Sequence, residues 1–230
     1  MNCVPREVLL VDGNRLLRKG TELMLRSWGH RVIGSAGDAQ TAFGMIVRRR
    51  PEVAVVDMDL PDETGAELVR RAIAAGHSPG VVLLLTDPSG PALQEALHCG
   101  ALGVVLRSAR PEELFSAVDV AGKGGVYVSP DLVRLAAGGG ATGGYVLSKR
   151  ERQVLELLAG GFTGRETSRV LVLSPETVRT HVRNAMKKLG AHTRVHAVTM
   201  AAKRNEIHVD TDAGVATPQE IEIPADLVVI

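Results

Sequence analysis

Aromatic residues make up only 3% of the chain, and cysteine occurs just twice. So few rings exclude an aromatic stacking platform for single-stranded nucleic acid. Cys3 and Cys99 form no metal-ligand or redox spacing, and one pair cannot staple 230 residues, so both are expected to be reduced and incidental to function. Long apolar runs are missing as well. The longest aliphatic stretch, Val81-Val82-Leu83-Leu84-Leu85, falls far below the roughly 18 residues that span a bilayer. The opening residues, Met1 to Arg6, show no basic segment followed by an apolar one, so no secretory signal is expected and the cytoplasm is the expected location.

What is present suffices for packed cores: 45% of the residues are hydrophobic, and the length suits two domains better than one. The net charge of +1 hides a strong asymmetry. Residues 1–146 carry −1, residues 147–205 carry +8, and residues 206–230 carry six acids and no lysine or arginine. A basic module therefore lies between a neutral domain and an acidic tail. Clustered positive charge is the footprint of a polyanion binder.

In the neutral part, short aliphatic runs alternate with stretches of helical spacing. The runs are Val8 to Val11, Arg31 to Ser35, Val53 to Val56, Val81 to Leu85 and Val104 to Leu106. They read as strands buried on both faces. Stretches such as Leu16, Leu17, Leu23, Met24 and Trp28, or Ala39 to Arg49, read as amphipathic helices. Five such units predict an α/β doubly wound, parallel five-stranded sheet of flavodoxin type, whose ligands bind at the carboxyl ends of the strands. Asp12, Asp57, Thr86 and Arg107 end four of the runs and are expected to converge in one pocket.

These residues and their order resemble the receiver domain of two-component response regulators. The resemblance runs from residue 7 to about 121 and rests on Val8-Leu9-Leu10-Val11-Asp12, Val55-Val56-Asp57-Met58-Asp59-Leu60-Pro61, Gly65, Leu84-Leu85-Thr86 and Gly100-Ala101-Leu102-Gly103. It implies that Asp57 is the phosphoacceptor for a histidine kinase, with magnesium on neighbouring acids (Asp12, Asp57, Asp59) and with Thr86 and the residue after the fifth strand sensing the phosphoryl group. Four departures weaken that chemistry. The usual pair of acids after the first strand is Asp12-Gly13, which lacks a carboxylate for a hard cation. The family lysine is Arg107, a planar fork in place of a compact ammonium. Asp87 adds negative charge beside Thr86, and Val104 replaces the aromatic switch residue. Any magnesium is expected to bind weakly. The pocket reads as a fixed or ligand-tuned dimerisation scaffold, the alternative being a conventional regulator phosphorylated on Asp57. Asp57-x-Asp59 also resembles the nucleophile motif of haloacid-dehalogenase-type phosphatases, but Pro61 and the lack of a later acidic pair argue against an enzyme.

Residues 122–146 are expected to hold a short helix, capped by Ser129 with Pro130 at its first position, and a flexible linker, Gly138-Gly139-Gly140-Ala141-Thr142-Gly143-Gly144. Residues 147–205 read as four helices. Ser148 with Glu151 fits a capping box, and a second helix follows from about Gly164 to Leu171. Ser174 and Pro175 open a third that Gly190 stops, and Thr193 opens a fourth. On the third helix Val178, Val182, Met186 and Leu189 share an apolar face, whereas Arg179, Arg183 and Lys187 recur every fourth residue on another side, beside Thr180 and Asn184. A cationic stripe on one short helix fits the major groove of duplex DNA.

This stretch closely resembles the LuxR-type helix-turn-helix domain, through Leu147-Ser148-x-Arg150-Glu151, Val154-Leu155, Leu158-Ala159-x-Gly161, Ser174-x-x-Thr177-Val178-x-x-His181 and Lys188-Leu189-Gly190. Together the halves resemble a NarL/FixJ-type response regulator with an atypical receiver. The resemblance implies a dimer, with itself or with a related regulator, on double-stranded DNA. It makes Arg179, Thr180 and Arg183 base readers with Asn184 beside them, and Lys187 and Lys188 phosphate contacts. His181 packs or meets a phosphate. The acidic tail, 206–230, is expected to be disordered or to compete with DNA for the basic face.

Overall fold

β-branched and leucine residues concentrate where strands form. A computed structural model of the chain describes residues 4–88, 90–137 and 146–208. Cys3, the glycine-rich linker and the tail beyond His208 lie outside the described residues. The chain divides into two units, Met1–Gly124 and Gly125–Ile230.

The first unit holds β1 (Glu7–Val11), β2 (Arg31–Ala36), β3 (Val53–Asp57), β4 (Gly80–Leu85) and β5 (Gly103–Leu106), parallel and in the order β2-β1-β3-β4-β5. The strands coincide with the expected aliphatic runs to within a residue or two. β3, β4 and β5 are buried along their whole length, as parallel strands covered on both faces must be. Registers of Val11 on Val56 and Asp57 on Leu84 bring the carboxyl ends of neighbouring strands level, which is where Asp12 and Asp57 emerge.

Between the strands run α1 (Arg15–Ser27), α2 (Ala39–Arg49), α3 (Gly65–Ala74), α4 (Gly90–His98) and α5 (Pro111–Gly122). Their starts follow capping chemistry. Asn14 accepts the amides of Leu16 and Leu17, and Thr64 with Glu67 forms a full capping box. α2 carries two carboxylates at its start: Asp38 accepts the amide of Thr41, while Asp62 takes Ala39 and Gln40 at 2.8 and 2.9 Å. The Ala39 amide accordingly holds the Asp62 carboxyl below its ordinary pKa. Gly65 has no substitute, because a Cβ there would press on the Asp57 carbonyl oxygen.

One helix differs in phase from its sequence reading. Leu16 and Leu23 of α1 are 80% and 59% exposed, and the buried residue is Leu25. The phase is set by polar anchors at the start: Asn14 caps the helix, and the Arg18 guanidinium donates to the Asp12 carbonyl. Arg18 is therefore turned toward the sheet. At the other end Trp28 meets Phe115 of α5 edge-on, with ring centroids 5.5 Å apart.

The second unit contains β6 (Tyr127–Val128), α6 (Pro130–Ala137), α7 (Lys149–Ala159), α8 (Gly164–Val170), α9 (Pro175–Leu189) and α10 (Arg194–Lys203). α6 packs against α10, and α9 packs against α7, α8 and α10. Four starts in this unit are capped by a hydroxyl: Ser148, Thr163, Ser174 and Thr193 each accept an amide three residues on. The unit does not end at Asn205. Glu206 and Ile207 are buried, and the Glu206 carboxylate accepts the amides of Val146 and Leu147 at 2.8 and 2.9 Å, closing the domain across 60 positions. Two residues assigned to the acidic tail thus belong to the folded core. Among the described residues no helix is long and apolar enough to cross a membrane.

Candidate nucleic-acid interface and receiver pocket

α9 sorts its side chains by angle. Val178, Val182, Ala185 and Leu189 are buried against the other helices, and Met186 is half-buried. Arg179, Thr180, Arg183, Asn184 and Lys187 are exposed, so the expected reading face is outward. Arg183 and Lys187 make no ion pair among the described residues. Arg179 meets Glu176 at 2.8 Å in an exposed contact of little energetic weight, which a phosphate or base edge can displace. The Thr180 hydroxyl donates to the Glu176 carbonyl at 3.0 Å. His181 is half-buried at the edge of this face. The helix N-terminus is fixed by Ser174, whose Oγ accepts the Thr177 amide at 3.0 Å, and its end by Gly190 at φ 67°.

Lys188 is exposed as well, but its ammonium is paired to another helix. Its Nζ lies 2.7 Å from Glu151 Oε2, at the start of α7. Burial pushes the Glu151 carboxyl up, but the Lys188 hydrogen bond and the Ser148 amide and hydroxyl outweigh it and hold the pKa below 4.5. The capping box was legible in sequence; this pairing across 37 positions was not.

α8 meets α9 through a tight turn. Leu171 ends α8, and Val172 adopts φ 53° while 89% exposed. Leu173 then closes the turn with a 2.8 Å hydrogen bond to the Ser168 carbonyl. A β-branched residue in the left-handed region is strained.

In the receiver unit, three of the six expected pocket residues are in direct ionic contact, and a fourth, Asp59, acts on Asp57. Arg107 Nη2 lies 2.7 Å from Asp12 Oδ2 and 2.7 Å from Asp57 Oδ2. Both carboxylates are buried, Asp12 at 2% and Asp57 at 5% exposure. Asp12 is held further by the Asn14 amide, 2.6 Å from Oδ1. Burial raises the Asp57 pKa above 3.8, Arg107 opposes the rise, and Asp12 adds to it. Asp57 Oδ1 has no hydrogen-bond partner among the described residues. Asp59, Thr86 and Asp87 are exposed, and Asp59, whose amide and charge both act on Asp57, sits on a loop bridged to Thr64.

This arrangement does not fit a resident magnesium ion. A hard divalent cation needs several oxygen ligands around an open position, whereas here one guanidinium spans the two converging carboxylates. Among the described residues no group of three His, Cys, Asp or Glu side chains is placed to hold a metal.

A parallel receiver-like sheet with an acid at the end of β3, followed by a capped helix-turn-helix with a cationic outer face, defines a class. Residues 8–119 match the response regulator receiver domain, and residues 145–201 match the bacterial regulatory proteins of the luxR family. The chain belongs to the NarL/FixJ-type response regulators, which are DNA-binding transcriptional regulators. It is 34% identical over 191 residues to the transcriptional regulatory protein UhpA of Escherichia coli K12, covering 82% of this chain and 93% of that protein. It is 35% identical over 211 residues to the probable transcriptional regulatory protein NarL of Mycobacterium tuberculosis, covering 88% and 97%. Among solved structures it resembles the response regulator ChrA of a heme-sensing two-component system, with 28% identity, a TM-score of 0.51, and coverage of 87% of this chain and 98% of that one.

Proposed function

We propose that the protein is a sequence-specific regulator whose receiver works without phosphorylation, as a dimerisation or ligand-sensing module in the cytoplasm, and that it catalyses no reaction of its own. The observation that carries this reading is Arg107, whose guanidinium ties Asp12 to Asp57 in the place where a phosphoryl group and its metal would have to be accommodated. Two anions and one cation already form a paired cluster, so an incoming dianion must first break it.

DNA is read by α9. Arg179, Thr180, Arg183 and Asn184 face the base edges, and Lys187 and His181 meet phosphates, which position the helix without specifying sequence. Two copies, or this chain with a related regulator, place two such helices on double-stranded DNA. The exposed leucines of α1 support self-association, since Leu16 and Leu23 lie on one side of a helix with no apolar cover among the described residues.

Incubation of the full chain with acetyl phosphate and magnesium, with Asp57 labelling, oligomeric state and DNA affinity read together, tests the receiver half. No labelling and no change in either property is expected. Stoichiometric labelling of Asp57 with a shift in oligomeric state would restore the conventional reading, with a histidine kinase as partner. For the DNA half, Arg179→Ala and Arg183→Ala should each cost about 1–3 kcal/mol of sequence discrimination. Lys187→Ala should weaken all duplexes about equally.

A further inference from the structure

Lys188 follows Lys187 directly, and both are basic residues in the last turn of α9. Their surroundings differ. On a helix successive residues are about 100° apart, so Lys188 is turned away from the Arg179, Arg183 and Lys187 stripe toward α7. Its ammonium is committed to Glu151, whose side chain is only 5% exposed, while the Lys188 side chain is 39% exposed. Glu151 Oε2 also accepts the Ser148 amide at 2.7 Å, and Ser148 Oγ accepts the Glu151 amide at 3.3 Å. One carboxylate oxygen therefore receives both the amide at the head of α7 and the ammonium at the foot of α9.

We propose that Lys188 is a positioning residue that fixes the tilt of α9 through Glu151, and not a phosphate contact. This rests on the reading of α9 as the helix that meets DNA. A lysine paired to a largely buried, ionised carboxylate cannot leave for a phosphate without stranding that charge. Releasing it would also loosen the only ion pair between α7 and α9 among the described residues, at the end of the helix opposite the Ser174 cap. Arg179, Thr180 and Arg183 would then keep their charge and chemistry but lose their aim. Sequence discrimination depends on aim, whereas attraction to any phosphate backbone depends on charge.

The test uses the full chain and a duplex that the chain itself enriches from a random-sequence pool, with random duplex as the reference. In Lys188→Met, affinity for the enriched duplex should fall about tenfold, the scale of one lost base contact. Random-duplex affinity and the slope of log affinity against log salt should stay as in the native chain. Lys187→Met should do the opposite, lowering that slope by about 0.9, as one phosphate contact does. Glu151→Gln keeps an acceptor for Ser148 but removes the charge, so it should match Lys188→Met, with the double variant no worse than either single one.

A reduced slope in Lys188→Met, or full selectivity in Glu151→Gln, would overturn the proposal. A fall in both affinities together with loss of helical circular dichroism would also overturn it, leaving only a structural role. Failure of the native chain to enrich any duplex would remove the DNA reading of α9 itself.

Discussion

Arg107 holds Asp12 through a 2.7 Å contact between Nη2 and Oδ2, and the same nitrogen reaches Asp57 Oδ2 at 2.7 Å. Lysine at this position offers one compact ammonium; arginine offers a fork with directional donors. Removing it leaves two buried carboxylates facing each other. Arg107→Ala should therefore cost about 2 kcal/mol at neutral pH, below the ~3–5 kcal/mol of a fully buried pair because the guanidinium is partly exposed. Magnesium should raise the melting midpoint of Arg107→Ala and leave that of the native chain unchanged. Equal responses to magnesium in the two proteins, followed by calorimetry, would show that the guanidinium does not fill the cation's place.

Asp57 gives a pH dependence of definite sign. Its folded pKa is raised above 3.8, chiefly by burial, so folding favours the protonated form. That contribution is full below the unfolded pKa and is lost as pH rises through the folded value. At neutral pH Asp57 is thus a liability. Asp57→Asn should unfold at a higher midpoint than the native chain at pH 7, with the gap closing as pH falls through the raised folded value and gone below about 4. A lower midpoint at pH 7 would mean that the Arg107 contact outweighs desolvation.

The acidic tail and the folded domain overlap at Glu206. A truncation after Asn205 removes a carboxylate that accepts the part-buried amide of Val146 and the buried amide of Leu147, together with the buried side chain of Ile207. Hydrogen bonds to a charged acceptor are worth about 1.5–3 kcal/mol each, so this truncation should unfold or severely destabilise the second unit. Stopping after His208 keeps both residues and removes five acids. That shorter chain should stay folded and bind duplex DNA more tightly at low salt, because an acidic segment on the same chain competes with phosphate for basic side chains. Unchanged affinity across a salt titration would dismiss the competition.

The strands and the helix-turn-helix were legible because both rest on local signals: uninterrupted aliphatic runs for β3 to β5, a hydroxyl cap with a downstream glutamate for α7, and Ser174 with Pro175 for α9. The strand-end rule led to Asp12, Asp57 and Arg107 for the same reason. It did not show that Thr86, Asp87 and Asp59 stand more exposed than these three, because the depth of a strand-end side chain depends on loop paths that no periodicity encodes. α1 misled through its leucines. Apolar spacing gives the number of faces a helix has but not which one meets the sheet, and Asn14 and Arg18 decide that through backbone contacts. The pairings of Lys188 with Glu151 and of Glu206 with Leu147 join residues 37 and 59 positions apart, so they exist only once the helices have packed.

Val172 is the strained point of the DNA-binding unit. It sits in the turn between α8 and α9 at φ 53°, and its side chain is 89% exposed, so it pays for no burial with that conformation. A left-handed conformation costs a residue with a Cβ about 1–2 kcal/mol, and a β-branched side chain stands at the upper end. Glycine removes this strain but gives the unfolded chain more freedom, which costs about 0.5–1 kcal/mol. The difference favours Val172→Gly by about 1–1.5 kcal/mol. The gain should appear as a higher denaturant midpoint for the helical transition with an unchanged slope, since the exposed surface is the same. Because α9 keeps its Ser174 cap and its packing on α7, the variant should select the same duplex as the native chain. A drop in midpoint would show that this turn is not strained, and altered selectivity would show that Val172 itself meets the DNA.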